Sequence, residues 1–169
     1  MSIYDEIVDR CERKMLFPII PKAPGATVRR AMFVGEDLEA SLNSPEGDEA
    51  WEKRVGYLRA DLEHFVTSEE ITCKYLFLLS PASDCVWEIR SVQHDPSVRV
   101  LGHFAECDVF ISTNFALRSD LGVWESAAWK KVKLMARAIW RRLFFLYKPL
   151  EFTNINEMVS GAISGKYLK

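Results

Sequence analysis

Between residues 85 and 115 the chain alternates apolar and polar side chains, breaks, and alternates again, and this pattern does most to limit the folds open to it. In "CVWEIRSV" (85–92), Cys85, Trp87, Ile89 and Ser91 fall on one side of an extended strand, and Glu88 and Arg90 on the other, because successive side chains point to opposite faces. "QHDPS" turns the chain, with Asp95-Pro96 as its punctuation. "VRVLGHFAEC" (98–107) and "DVFISTNF" (108–115) then read as the arms of a tight hairpin. Upstream, "ITCKYLFLLS" (71–80) is a continuous apolar run, which predicts a strand buried on both faces. Together these segments predict an antiparallel meander in which Trp87 and Ile89 are core.

The flanking segments predict helices. Residues 2–16 form a short one, with Ile3, Ile7, Val8 and Cys11 along one side, and "FPIIPKAPG" (17–25) breaks it into an extended arm. "TVRRAMFVG" (27–35) is a strand that ends at Gly35. A short helix over 36–42 stops at "NSPEGD", and Asp48 caps a second helix to about Phe65, with Val55, Leu58, Leu62 and Phe65 at helical spacing. After a loop at 117–124, the strongest helix runs over 125–147 until Pro149 ends it. Its apolar stripe is read as Trp129, Val132, Met135, Ala136, Ile139, Trp140, Leu143 and Tyr147; Lys130, Lys133, Arg137 and Arg141 occupy another face. Gly161 and Gly165 allow only a short or frayed helix in the tail. The expected fold class is therefore α+β: an antiparallel meander sheet with a helical pair and a long C-terminal helix packed on it. The division is 1–30 for the N-terminal helix and arm, 31–149 for the domain, and 150–169 for the tail.

Length and composition agree with one packed domain, since 169 residues with 49% hydrophobic content can bury a core. No apolar run approaches the ~20 residues a membrane helix needs, and the N-terminus lacks the pattern of a secretory signal. The four cysteines have no CxxC spacing, so a cytoplasmic chain with reduced thiols is expected. Net charge is −2, but eleven acids face three bases between residues 35 and 70, and eight bases face two acids between 118 and 148. The basic segment suits a nucleic-acid backbone or an acidic partner; equally, the two segments suit packing on each other.

Arg90, Arg99 and Arg118, with His103, are the candidate catalytic set. Cleaving or binding RNA needs cations for the phosphate and a group that moves a proton. Arg99 and His103 share one strand face. Periodicity alone does not bring Arg90 beside them, and Arg118 lies past the last strand. The same residues could instead pair with Glu88, Glu106 or Asp108 as cross-strand ion pairs. Cys85, His94, His103 and Cys107 supply zinc-type ligands, but at a spacing that matches no ribbon or finger. No metal or cofactor is expected, and no P-loop, GxGxxG, GxSxG or HExxH motif occurs.

"RADLEHF", "VWEIR", "RVLGHF" and "VFISTNFALRS", in the order helix, helix, three-stranded meander, helix, resemble the RelE/ParE superfamily of bacterial toxins, especially its HigB-like, phage-associated branch. The resemblance spans about 31–147. It implies an mRNA-cleaving endoribonuclease of a toxin–antitoxin or mobile-element system, independent of metal, in which Arg90 and Arg99 grip phosphate. The chain departs from the family where "NFALRS" replaces a His-Gly-Phe and lysine segment, leaving Arg118 as the remaining base. That departure favours the alternative, a non-catalytic phage- or mobile-element-derived binding or inhibitor protein. Either reading implies a protein partner, whether antitoxin, target protein or a second copy of the chain, with mRNA or the ribosome on the nuclease reading and no membrane. Ile19, Ile20, Met158, Val159 and Ile163 in the arm and tail predict that one of these segments docks on another chain.

Overall fold

The computed structural model describes residues 1–44 and 46–169. Helix α1 (Ile3–Glu12) opens on a capping box: the Ser2 hydroxyl accepts from the Asp5 amide, and the Asp5 carboxylate accepts from the Ser2 amide. Strand β1 (Leu16–Pro18) leads into the arm, and β2 (Ala31–Gly35) runs directly into α2 (Glu36–Asn43). Asp48 caps α3 (Glu49–Thr67) as its sequence predicts, accepting from the Trp51 amide at 2.9 Å. Strands β3 (Leu76–Leu78), β4 (Trp87–Ser91), β5 (Val98–Glu106) and β6 (Val109–Leu117) follow. The predicted loop after β6 instead contains a helical turn, α4 (Arg118–Leu121), before α5 (Ala127–Leu143), which the Ser126 hydroxyl caps. A helical turn, α6 (Ile155–Met158), sits in the tail, and a 3-10 turn over Gly165–Leu168 follows it.

The fold is α+β. All six strands form one sheet in the order β1-β2-β6-β5-β4-β3. The meander of β4, β5 and β6 is antiparallel, and Trp87 and Ile89 are buried in the core. The sheet is mixed rather than purely antiparallel, because β2 runs parallel to β6, with Phe33 opposite Ile111. The helical pair between β2 and the meander makes this possible, since parallel neighbours need a long crossover. Near the middle of β5, Gly102 is required by close approach. A Cβ there would lie 2.2 Å from the Ile111 carbonyl oxygen and 2.7 Å from the Phe110 ring.

Helices cover both faces. On one, Leu38, Leu58, Leu62 and Phe65 of α2 and α3 pack on Val34, Trp87, Ile89, Val100 and Phe110. On the other, Ile3 and Ile7 of α1 and Trp129, Ala136 and Trp140 of α5 pack on Phe33, Leu101, Ala105 and Ile111. This second layer corrects two expectations. Glu88 points away from Trp87 as the alternation requires, yet it is 2% exposed because the face it occupies is covered. In α5, Lys133 is buried, with its ammonium on the Ser80 carbonyl at 2.9 Å, whereas Met135 is 42% exposed. At 100° per residue Lys133 falls about 20° past Trp140, at the edge of the arc of Trp129, Ala136 and Trp140, whereas Met135 falls about 100° away from it.

The strand predicted over 71–80 contracts to β3, and Phe77 is 43% exposed rather than buried, because β3 is an edge strand. The arm and the tail also differ from expectation. Both fold back on the domain's own core: β1 pairs with β2, Ile19 is buried, and Met158 is fully buried beside α3 and the sheet. The apolar residues that predicted docking elsewhere are thus largely used within the chain, although Ile20 stays 65% exposed.

Candidate anion-binding site

Strand register brings the candidate arginines together. Arg90 of β4 sits directly opposite Arg99 of β5, and Arg99 sits opposite Ala116 of β6, two residues before Arg118. Like charges directly opposite each other repel, so this pairing needs a counter-charge. Glu88 supplies it from the same face of β4, two residues along. Its Oε1 accepts from Arg90 Nε at 2.6 Å, and its Oε2 lies 3.5 Å from Arg99 Nε.

The three groups differ in exposure. The Glu88 side chain is 3% exposed, that of Arg99 13% and that of Arg90 30%. Burial is the largest influence on Arg99 and lowers its pKa; Glu88 opposes that shift, while Arg90 and Arg118 add to it as like charges. Arg118 donates from Nη1 to the Gly122 carbonyl at 2.7 Å and lies 5.8 Å over the Trp129 ring. Arg90 lies 4.6 Å over Phe77. One carboxylate therefore faces two guanidinium groups, and a third, Arg118, adds its charge to that of Arg99 from beyond β6. The surplus positive charge at the margin of the sheet can attract an anion, and planar guanidinium forks match a phosphate.

His103 occupies a different place. It lies four residues along β5 from Arg99, about 13 Å at strand rise. It is 1% exposed, and its Nδ1 lies 2.8 Å from the Cys85 carbonyl oxygen. A carbonyl can only accept, so Nδ1 carries the proton. Burial pushes the pKa of the ring down to about 4, against the raising effect of that hydrogen bond. At neutral pH the ring is neutral and packed against Trp140, at 5.3 Å between centroids.

The four residues with zinc-type side chains are dispersed. His94 stacks on Tyr57 at 3.4 Å, Cys85 and His103 meet through a backbone carbonyl, and Cys107 lies at the β5–β6 hairpin tip beside Asp108. Among the described residues no group of three or more metal-ligating side chains is assembled.

Alternation along β4 marks Glu88 only as a generic cross-strand partner. Its role as the shared counter-ion follows from the cover that α4 and α5 place over that face, which leaves no local trace. Trp129 under Arg118 carries a fainter signal, an aromatic residue in the first turn of the helix that follows Arg118.

This geometry defines a class, an α+β protein with an arginine cluster built on a sheet margin. No family model matches the chain, and no curated protein or solved structure matches it. No helix among the described residues is long and apolar enough to cross a membrane.

Proposed function

We propose that the protein is a toxin-like RNA-binding protein of the RelE/ParE kind, whose Arg90, Arg99 and Arg118 hold an RNA phosphodiester. The observation that carries this reading is the pairing of Arg90 and Arg99 on one buried carboxylate, with Arg118 close enough to Arg99 to act on it as a third positive charge. The succession of α2, α3, the β4–β6 meander and α5 also agrees with the order the resemblance implies.

Between the cleaving and the non-catalytic forms of this reading, the position of His103 favours the second. A buried, neutral ring about 13 Å down the strand from Arg99 is badly placed to move a proton at a phosphate bound there. The protein then acts by occupying RNA, in the cytoplasm of its host, and an antitoxin or target protein is the partner that would regulate it.

The test is binding of a single-stranded RNA oligonucleotide by fluorescence anisotropy over a salt series. Arg99→Ala and Arg118→Ala should each weaken binding and reduce the salt slope by about one. Unchanged affinity and slope in both folded variants would remove the phosphate-binding reading. Inducible expression followed by an mRNA integrity assay separates the two forms. Intact mRNA is expected, and cleavage that Arg99→Ala abolishes would restore the nuclease.

A further inference from the structure

The face of α5 turned away from the sheet carries Lys130, Lys131, Leu134, Ala138, Arg141 and Arg142, all exposed. Phe145 and Leu146 follow just beyond the helix end, after Phe144, whose backbone leaves the helical conformation. Leu134 is 64% exposed, Phe145 86% and Leu146 80%. Isolated exposed apolar residues are ordinary on a protein surface, but a group of them on one basic surface is not. Among the described residues, the ion pairs of α5 are Lys133 with Glu125 and Arg137 with Asp84. Lys130, Lys131, Arg141 and Arg142 have no such pair, nor has Lys148 after the helix. Next to Phe145 and Leu146 opens a cleft of about 400 Å3, lined by the exposed Arg141 and Lys148 and by the buried His103 and Trp140. Asp84 and Glu151 also line it, and Asp84 is already engaged by Arg137.

We propose that this face is a docking surface for an anionic phospholipid bilayer. Helix α5 lies in the plane of the interface, Phe145 and Leu146 enter the boundary between headgroups and acyl chains, and the flanking bases meet lipid phosphates. Two features select this occupant. Among the described residues, five unpaired bases, Lys130, Lys131, Arg141, Arg142 and Lys148, face one unpaired acid, Glu151, although the whole chain is net −2, so the surface is complementary to an anion and not merely part of a basic protein. The exposed apolar side chains are mostly aliphatic, and Leu134 and Leu146 offer no flat face on which a base could stack. Exposed apolar side chains at the two ends of a basic surface, Leu134 at one and Phe145 and Leu146 at the other, suit a segment that lies in a membrane interface without crossing it. The surface is separate from the arginine cluster of β4 and β5 and does not depend on its function.

The experiment is co-sedimentation of the full chain with vesicles of phosphatidylcholine alone or of phosphatidylcholine with about a third phosphatidylglycerol, at low and high salt. Binding is expected only to the anionic vesicles and should weaken with salt. The exposed pair Phe145→Glu/Leu146→Glu and the pair Arg141→Glu/Arg142→Glu should each lower the partition coefficient by roughly tenfold or more, while Arg99→Ala leaves it unchanged. Circular dichroism checks that each variant is folded. No binding to anionic vesicles at low salt, or equal binding by folded variants of both pairs, overturns the proposal. So does retention of a uridine oligonucleotide through Arg141 and Arg142 without any vesicle binding, which would make the surface a nucleic-acid one.

Discussion

The carboxylate of Asp108 stands 3.7 Å from Nε of Arg30, and each side chain is 2% exposed. Neither group is left to the other alone. Asp108, at the β5–β6 hairpin tip, accepts from the backbone amides of Ser160, Gly161 and Ala162 at 2.7, 3.0 and 3.3 Å, and from the Ser160 hydroxyl. Arg30 donates from Nη1 to the carbonyls of Phe65 at 3.0 Å and Ser68 at 2.7 Å. The hairpin tip, the start of β2, the end of α3 and the C-terminal tail thus meet at one ion pair.

Asp108→Ala should therefore release the tail and destabilise the whole domain. It leaves a buried guanidinium uncompensated and three amides without their acceptor, a loss of about 3–5 kcal/mol. Denaturant unfolding measures the loss, and hydrogen exchange should show faster exchange at residues 158–162. A stability change under ~1 kcal/mol would mean that the tail is held mainly by Met158.

Glu88 makes a comparable prediction for the arginine cluster. Glu88→Gln keeps the shape of the side chain but removes the charge that lets Arg90 and Arg99 sit opposite each other. Stability should fall by about 2–4 kcal/mol and recover partly in the double variant Glu88→Gln/Arg99→Ala, because the repulsion goes with the second charge. Arg99→Ala alone should also cost stability. As an exposed strand residue it would be nearly neutral, but its 13% exposure and its contact with Glu88 make it part of a buried network. Additive losses in the double variant would show that the charges do not interact.

Gly102→Ala tests the packing of the meander. The added methyl would meet a backbone oxygen at 2.2 Å as well as an aromatic ring, and a strand in the middle of a sheet has little room to move. A loss of at least about 1–3 kcal/mol is expected in thermal or urea unfolding. A neutral result would place a different register at the bulge between Leu101 and Gly102.

These residues also mark what the sequence could reveal. The burial of Trp87 and Ile89 and the Asp48 cap are local consequences of period and side-chain chemistry, so they could be read directly; α5 instead ends at Leu143, short of the predicted Tyr147, because the backbone of Phe144 leaves the helix before Pro149 is reached. The parallel contact of β2 with β6 joins residues 78 apart in the chain and has no local signature. The same is true of Glu88. Alternation gives its direction, but its burial depends on where α4 and α5 come to lie. The Arg90–Arg99 pairing lay between these cases, because each residue was visible while their register was set by the turn between the strands. His103 was legible as a titratable residue on the arginines' strand face, and only the packing of α5 over that face shows it to be buried.

His103 gives the pH dependence of the fold. Its pKa is about 4 in the folded protein and about 6.5 when the chain is unfolded. As pH falls below 6.5 the unfolded chain takes up a proton first, so unfolding becomes easier until the folded ring can also titrate near 4. Stability from this residue is complete above 6.5 and is lost across that window, by about 3 kcal/mol in all. Arg137 favours the neutral ring and Asp84 opposes it, but burial outweighs both. His103→Gln removes the titration while keeping a donor for the Cys85 carbonyl. Urea midpoints measured from pH 7 to 4 should therefore fall less steeply in the variant, by about one proton's worth of slope. Parallel curves for the two proteins would mean that the ring is protonated in the fold, with each nitrogen donating to a backbone carbonyl.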